Sequence, residues 1–261
     1  MDYHARQADP QSGRMLNIDP HAENYYSLSP YSLLGNNPLM YIDPDGRDIE
    51  VSGTKTAKAG LQEIVKNGSG GFFKANISNK GKVTLEMTGK EGTMTDEQKA
   101  FYDVLTKIIK DKESIRISLV DHNDAESSGI AFGNYLSGKV DVGDVRALPS
   151  DNVYTQQGVL AHDIYEQYYK QKFQKGIDNK SDEAQANAFG EAHGLAIKNA
   201  QNPVNGTKRN TDNESKLPKK LGMNLNGNYH YSVTTKKGNS AIVTVTFKNG
   251  NVQKVRTLEG D

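Results

Sequence analysis

Val159-Leu-Ala-His162-Asp163-Ile-Tyr-Glu166-Gln-Tyr168 is the stretch from which the rest of the chain can be placed, with Gly190-Glu-Ala-His193-Gly194 as its counterpart on the next predicted helix. His162 and Glu166 are four residues apart, so in a helix they lie one above the other on one face, within reach of a single metal ion. At about 100° per residue, Leu160, Ala161, Ile164, Tyr165 and Tyr168 fill one broad apolar arc, with His162 and Glu166 nearly opposite. Such a pair is either a solvated face or a site closed from the other side by a second element. The second helix favours closure. His193 shares its sector with Ala186, Phe189, Ala196, Ile197 and Ala200, mostly small residues that let another backbone come close. A buried His193 turned towards the first helix is the expectation.

Two imidazoles and a carboxylate are the set that holds catalytic zinc while leaving a fourth position for water. The predicted metal ligands are therefore His162, Glu166 and His193, and zinc is the expected ion. Asp163, next to the first ligand, is the expected catalytic base, placed to accept a proton from water whose pKa the ion lowers. The bland reading stands beside this one: a histidine on an apolar face is often a satisfied core residue, and His-x-x-x-Glu is often a surface pair.

Composition narrows the chemistry. The 261 residues contain no cysteine, which removes disulfides, thiolate zinc sites and a cysteine nucleophile. The 32 basic residues balance 32 acidic ones, so no global field draws the chain to nucleic acid. No apolar run approaches the roughly 18 residues of a membrane span, and Met1-Asp-Tyr-His-Ala-Arg6 lacks the apolar core of a signal peptide. Gly68-Ser-Gly-Gly71 lacks the Lys-Ser that a phosphate loop requires.

Outward from the central stretch, strands are predicted at Ile49–Val51, Gly71–Ile77, Lys82–Met87, Ile115–Val120, Ile130–Leu136 and Lys139–Val145. Thr95-Asp-Glu-Gln98 forms a capping box, and Phe101, Val104, Leu105, Ile108 and Ile109 continue it as a helix to about Lys112. Two helices follow, one from about Val153 to Gln174 that ends near Gly176, and one from Ser181 to about Ala200. Residues 201–227 read as a polar connector, and residues 228–261 as a three-strand meander packed on the preceding domain. The fold class is α+β: a mixed or antiparallel sheet, three main helices and a C-terminal β meander, with residues 48–200 as the principal domain. Asp121, His122 and Asp124 cluster after a strand and form a second candidate site. His230, in a strand between two tyrosines, has cross-strand packing as its default role.

Residues 1–47 have another texture. Tyr3-His-Ala-Arg6, Asp9-Pro10, Gly13-Arg14, Asp19-Pro20, Asn36-Asn37-Pro38 and Asp43-Pro44-Asp45-Gly46 place Pro and Gly every few residues, a turn-dense pattern of short strands. This block resembles the end of the core domain associated with Rhs repeats, although Gln7-Ala8 and Met15 stand where that family has aromatics. The resemblance implies that the chain from about residue 48 onward is a C-terminal toxin cargo, that a cognate immunity protein exists as its partner, and that a specialised secretion system delivers it into a target cell. The helix pair in turn resembles the zincin metallopeptidases, with Asp163 where they have Glu and Glu166 where they have the second His. That implies a metal-dependent peptidase acting on a protein or peptide, with a strand such as 139–145 as the edge that holds the substrate. Two rival functions remain: a toxin that binds a target without catalysis, and a metal-dependent nuclease using Asp121 and His122.

Overall fold

The structure, a computed structural model, describes residues 8–9, 14–15, 49–111, 113–122, 130–149, 153–210 and 226–259. In the N-terminal block, β1 (Ala8–Asp9) and β2 (Arg14–Met15) pair antiparallel; the rest of that block, like Asp124 and residues 211–225 of the predicted connector, lies outside the described residues. The fold is α+β. One cluster of buried apolar side chains runs from Ile49 to Val252 and joins the main sheet to the C-terminal one.

β3 (Ile49–Gly53) starts the main sheet and leads into α1 (Lys55–Gly68), whose first turn is capped by the Thr54 hydroxyl accepting from Ala57 N at 3.1 Å. Ala57, Leu61, Ile64 and Val65 recur at helical spacing and bury one face of α1. β4 (Phe73–Ile77) and β5 (Lys82–Met87) form a hairpin, and α2 (Asp96–Ile109) follows. The predicted capping box is formed: Gln98 N donates to Thr95 Oγ1 at 3.3 Å, and Thr95 N donates to Gln98 Oε1 at 2.9 Å. β6 (Ile115–Val120) then runs parallel to β3.

The next two predicted strands are shorter than expected. Between Ile130 and Leu136 only β7 (Gly133–Asn134) pairs, because Phe132 takes a left-handed backbone (φ 59°) that breaks the extended run. Lys139–Val145 divides into β8 (Lys139–Asp141) and a short helix, α3 (Val142–Arg146). Asp141 makes the switch: its Oδ1 accepts from Gly143 N at 2.9 Å and Asp144 N at 3.1 Å, so the chain turns helical there. The six strands lie in the order β4-β5-β3-β6-β8-β7, with β3, β6 and β8 parallel and β7 an antiparallel edge.

α4 (Gln156–Phe173) carries the central stretch, with Thr155 as its cap. Thirteen of its eighteen residues are buried, so it is enclosed on every side, and the polar arc opposite the apolar seam must face protein. Leu160 is fully buried, worth about 2 kcal/mol on its own. Past Gly176, left-handed at φ 79° as the chain turns, comes α5 (Asp182–Ala196), capped by Ser181. Its rod continues through a π turn (Ile197–Gln201) into α6 (Asn202–Asn205). The π turn ends one residue before Asn202-Pro203, and Pro203 has no N–H to give to the helical ladder, so the ladder shifts register there.

Residues 201–210 are therefore not a connector. They contain α6 and β9 (Lys208–Asn210), which joins β10 (Gly227–Thr234), β11 (Ser240–Lys248) and β12 (Asn251–Glu259) in a sheet of order β12-β11-β10-β9. The predicted meander is present with one strand more. It docks on the main body through Phe132 against Phe247, centroids 5.5 Å apart, and through Tyr154 stacked on Tyr231 at 5.1 Å. Among the described residues, no helix is long and apolar enough to cross a membrane.

Candidate metal centre

α4 and α5 bring His162, Glu166 and His193 together, as their spacing predicted. His162 Nε2 lies 3.0 Å from His193 Nδ1, His193 Nδ1 lies 3.0 Å from Glu166 Oε2, and His162 Nε2 lies 3.4 Å from Glu166 Oε2. A point equidistant from the three atoms of this triangle is about 1.8 Å from each, so an ion bonded at about 2.0–2.1 Å fits about 1 Å off its plane. The edges are those of a tetrahedral face, about 3.3 Å at such bond lengths. Hydrogen bonding alone accounts for less: His193 Nδ1 is equally close to two partners, and a single N–H there can serve one of them. These three residues are a group that can hold a metal ion.

Their surroundings set the protonation states a ligand needs. Burial pushes the His162 imidazole down to about 4, and His193 acts in the same direction, so it is neutral at pH 7. Burial alone would raise the Glu166 carboxyl, but hydrogen bonds and charge from the two histidines hold it well below the usual carboxylate range. A neutral imidazole and an ionised carboxylate are the metal-binding forms. With its Nε2 lone pair turned inward, neutral His162 carries its proton on Nδ1, which is buried and has no hydrogen-bond partner among the described residues.

His193 is less enclosed than its sequence neighbours suggest. His162 and Glu166 are 5% exposed, whereas the His193 side chain is 16% exposed, and Ala186, assigned to the same face, is exposed outright. Only the C-terminal half of that face, Ala196, Ile197 and Ala200, is buried. The Phe189 ring lies 4.9 Å from the His193 ring, centroid to centroid. His193 is the member of the triad most open to solvent.

Asp163 points towards β7. A Cβ built on Gly133 would come within 2.8 Å of Asp163 Cγ, so glycine there allows the carboxyl to pack against the edge strand. Asp163 Oδ2 is buried without a hydrogen-bond partner among the described residues. Burial, then the nearby Glu166 charge, raises its pKa well above the usual carboxylate range, with Arg209 opposing. Residues 139–145, expected to hold an edge strand, contribute β8 inside the sheet, and the edge is β7. Behind it, α4 grips the 134–136 turn: Gln167 Nε2 donates to Tyr135 O at 3.1 Å, and Lys170 Nζ donates to Leu136 O at 2.8 Å.

The second candidate site is assembled differently from the sequence expectation. Asp121 is taken by Arg146, whose Nη2 lies 2.5 Å from its Oδ2, while His122 faces Asp144, with Nδ1 to Oδ1 3.9 Å. Asp141 and Asp144, read from sequence as polar positions of a strand, are fully buried. His230 makes the expected cross-strand contact, Nδ1 to Thr244 Oγ1 at 3.0 Å. Arg209, assigned to a solvated linker, is buried: its guanidinium sits 4.6 Å from the Tyr231 ring and donates to Gln201 Oε1 at 2.9 Å.

Fold and triad together define an α+β chain with a candidate three-ligand metal centre. No family model matches the chain, and no solved structure matches it. Among curated proteins, salivary gland surface protein 1 of Aedes aegypti is 50% identical over 46 residues, which is 18% of this chain. The chain spans about 1% of that protein's length.

Proposed function

We propose that this chain is a C-terminal effector of an Rhs-type polymorphic toxin, and that its metal centre is a zinc-dependent peptidase of the zincin kind. His162, Glu166 and His193 are the ligands and Asp163 the base. The observation that carries the reading is the convergence of three ligand atoms within 3.4 Å, with His162 neutral and Glu166 ionised. Zinc supplies Lewis-acid polarisation and a water of lowered pKa. The chain's own contribution is positional: Asp163 stands one residue along α4 from the first ligand, beside an antiparallel edge strand to which an extended peptide can add. The substrate is thus a peptide segment in a target cell, and the motifs of residues 1–47 supply the toxin context, the immunity protein and the specialised export route.

The test uses the purified full chain, its zinc content, and a library of proteome-derived peptides read by mass spectrometry. Wild type is expected to hold one zinc per chain and to cleave, with cleavage lost on chelation and in His193→Ala and Asp163→Ala. Zinc no higher than in His193→Ala overturns the metal centre. One zinc per chain without cleavage overturns the peptidase.

A further inference from the structure

We propose that His122, Asp141 and Asp144 form a second metal site, for a hard divalent cation of the magnesium or manganese type, separate from the His162 centre. β6 and β8 run parallel, with Val120 paired to Asp141, so His122 and the Asp141–Asp144 turn emerge together at the carboxyl ends of adjacent strands. That edge is where open sheets with parallel strands place their ligands. One ligand atom from each of the three residues falls within 4.8 Å of the others. Around a cation bonded at about 2.1–2.4 Å, opposite ligands stand about 4.2–4.8 Å apart and neighbouring ones about 3.0–3.4 Å, so the three side chains close on it by inward movement of up to about 1 Å.

The hydrogen bonding of the two carboxylates is one-sided. Asp141 Oδ1 is committed to Gly143 N and Asp144 N, and Asp144 Oδ1 to Val252 N at 2.8 Å. The other oxygen of each, Oδ2, is buried and has no hydrogen-bond partner among the described residues, and the same holds for His122 Nδ1. Both aspartates are 0% exposed, and no Lys or Arg ion pair reaches either of them among the described residues; Arg146 is paired with Asp121 and Glu63. As ionised carboxylates, two buried groups with bare oxygens beside an imidazole nitrogen are costly, and a cation joining them offsets that cost.

Gly143 makes the approach possible, since a Cβ there would lie 2.7 Å from His122 Nδ1. The His122 side chain is 37% exposed, which gives an ion its way in. Two carboxylates with a single imidazole favour a harder ion than the two-histidine centre does.

The full chain, stripped with EDTA and carrying His193→Ala to silence the first centre, is titrated with Mn2+ and followed by the loss of its free-ion EPR signal. One equivalent is expected to bind, to be displaced by excess Mg2+, and to weaken by at least about tenfold on adding His122→Ala or Asp144→Asn. Asp144→Asn keeps the Oδ1 acceptor for Val252 N, and a melt in EDTA reports whether it folds; if it does not, the half-exposed His122→Ala decides. Absence of saturable Mn2+ binding in the His193→Ala chain overturns the site, and so does binding that His122→Ala leaves unchanged.

Discussion

Glu166→Gln is the sharpest perturbation of the metal centre, because it keeps the side chain's shape and removes only the charge and the ligand oxygen that stand 3.0 Å and 3.4 Å from the two histidines. Structural zinc in four-ligand peptides is worth about 10–16 kcal/mol, or about 3–4 kcal/mol per ligand, so losing one weakens binding by about 100-fold or more. That loss can be read as stability. Free zinc at 100 times the wild-type Kd stabilises the folded chain by about 2.7 kcal/mol, and the same zinc at a 100-fold weaker site gives only about 0.4 kcal/mol. At about 2–4 °C per kcal/mol for chains of this size, zinc should raise the wild-type Tm by about 5–10 °C and the Glu166→Gln Tm by about 1 °C. Scanning calorimetry in buffered zinc and in chelator measures both. Equal zinc-induced shifts in the two proteins, or no shift in either, would refute the reasoning.

Asp163→Asn should abolish turnover and reduce the pH dependence of stability in chelator. The folded-state pKa of Asp163 lies above its ordinary 3.8, so its stabilising effect is complete below that value and is lost as pH rises through the folded pKa; Asp141 and Asp144, raised to about 6 and about 7, act in the same direction in both proteins, so urea titrations from pH 5 to 9 should show wild type losing more stability than the variant on the alkaline side. Gly158→Ala puts a Cβ 1.9 Å from Asn205 Oδ1, which accepts from the Thr155 hydroxyl at 2.6 Å; a cost of about 1–3 kcal/mol in urea unfolding is expected, and a neutral result would contradict the packing. Arg209→Met leaves Gln201 Oε1 buried without the 2.9 Å bond it now accepts, at a cost of about 1–3 kcal/mol by the same measurement.

The sequence carried the convergence of His162, Glu166 and His193 because it depends on two facts that periodicity encodes, the i,i+4 spacing of His162 and Glu166 and the placement of His193 on a neighbouring helix. It carried the capping box at Thr95 and strands β5 and β6 for similar reasons: local hydrogen bonding and alternation leave marks at fixed offsets. Other features leave no such marks. α1 was legible in Ala57, Leu61, Ile64 and Val65, but no element was predicted between the strands at 49–51 and 71–77. The Asp141 cap was masked because Val140, Val142 and Val145 fit strand alternation until the Asp141 side chain bonds forward. Arg209 lies among lysines and asparagines, and only the pairing of β9 with β10 shows that its guanidinium turns inward. Asp144 is committed by Val252, more than a hundred residues away, a contact that no local pattern contains.

The π turn at Ile197–Gln201 has a consequence for phase. His193 meets α4 at His162, and Asn205, twelve residues further along the same rod, meets the start of α4 at Thr155. Twelve regular helical steps would leave those two side chains about 120° apart around the rod axis, whereas the extra residue absorbed by a π turn reduces the count to eleven steps and the offset to about 20°. The irregularity thus lets one rod address one neighbour at two levels. Removing a single residue from 197–201 would straighten the rod and, by leaving eleven regular steps, keep Asn205 facing Thr155, whereas inserting a second residue there would swing it away and uncouple the capped start of α4 from the helix that carries His193.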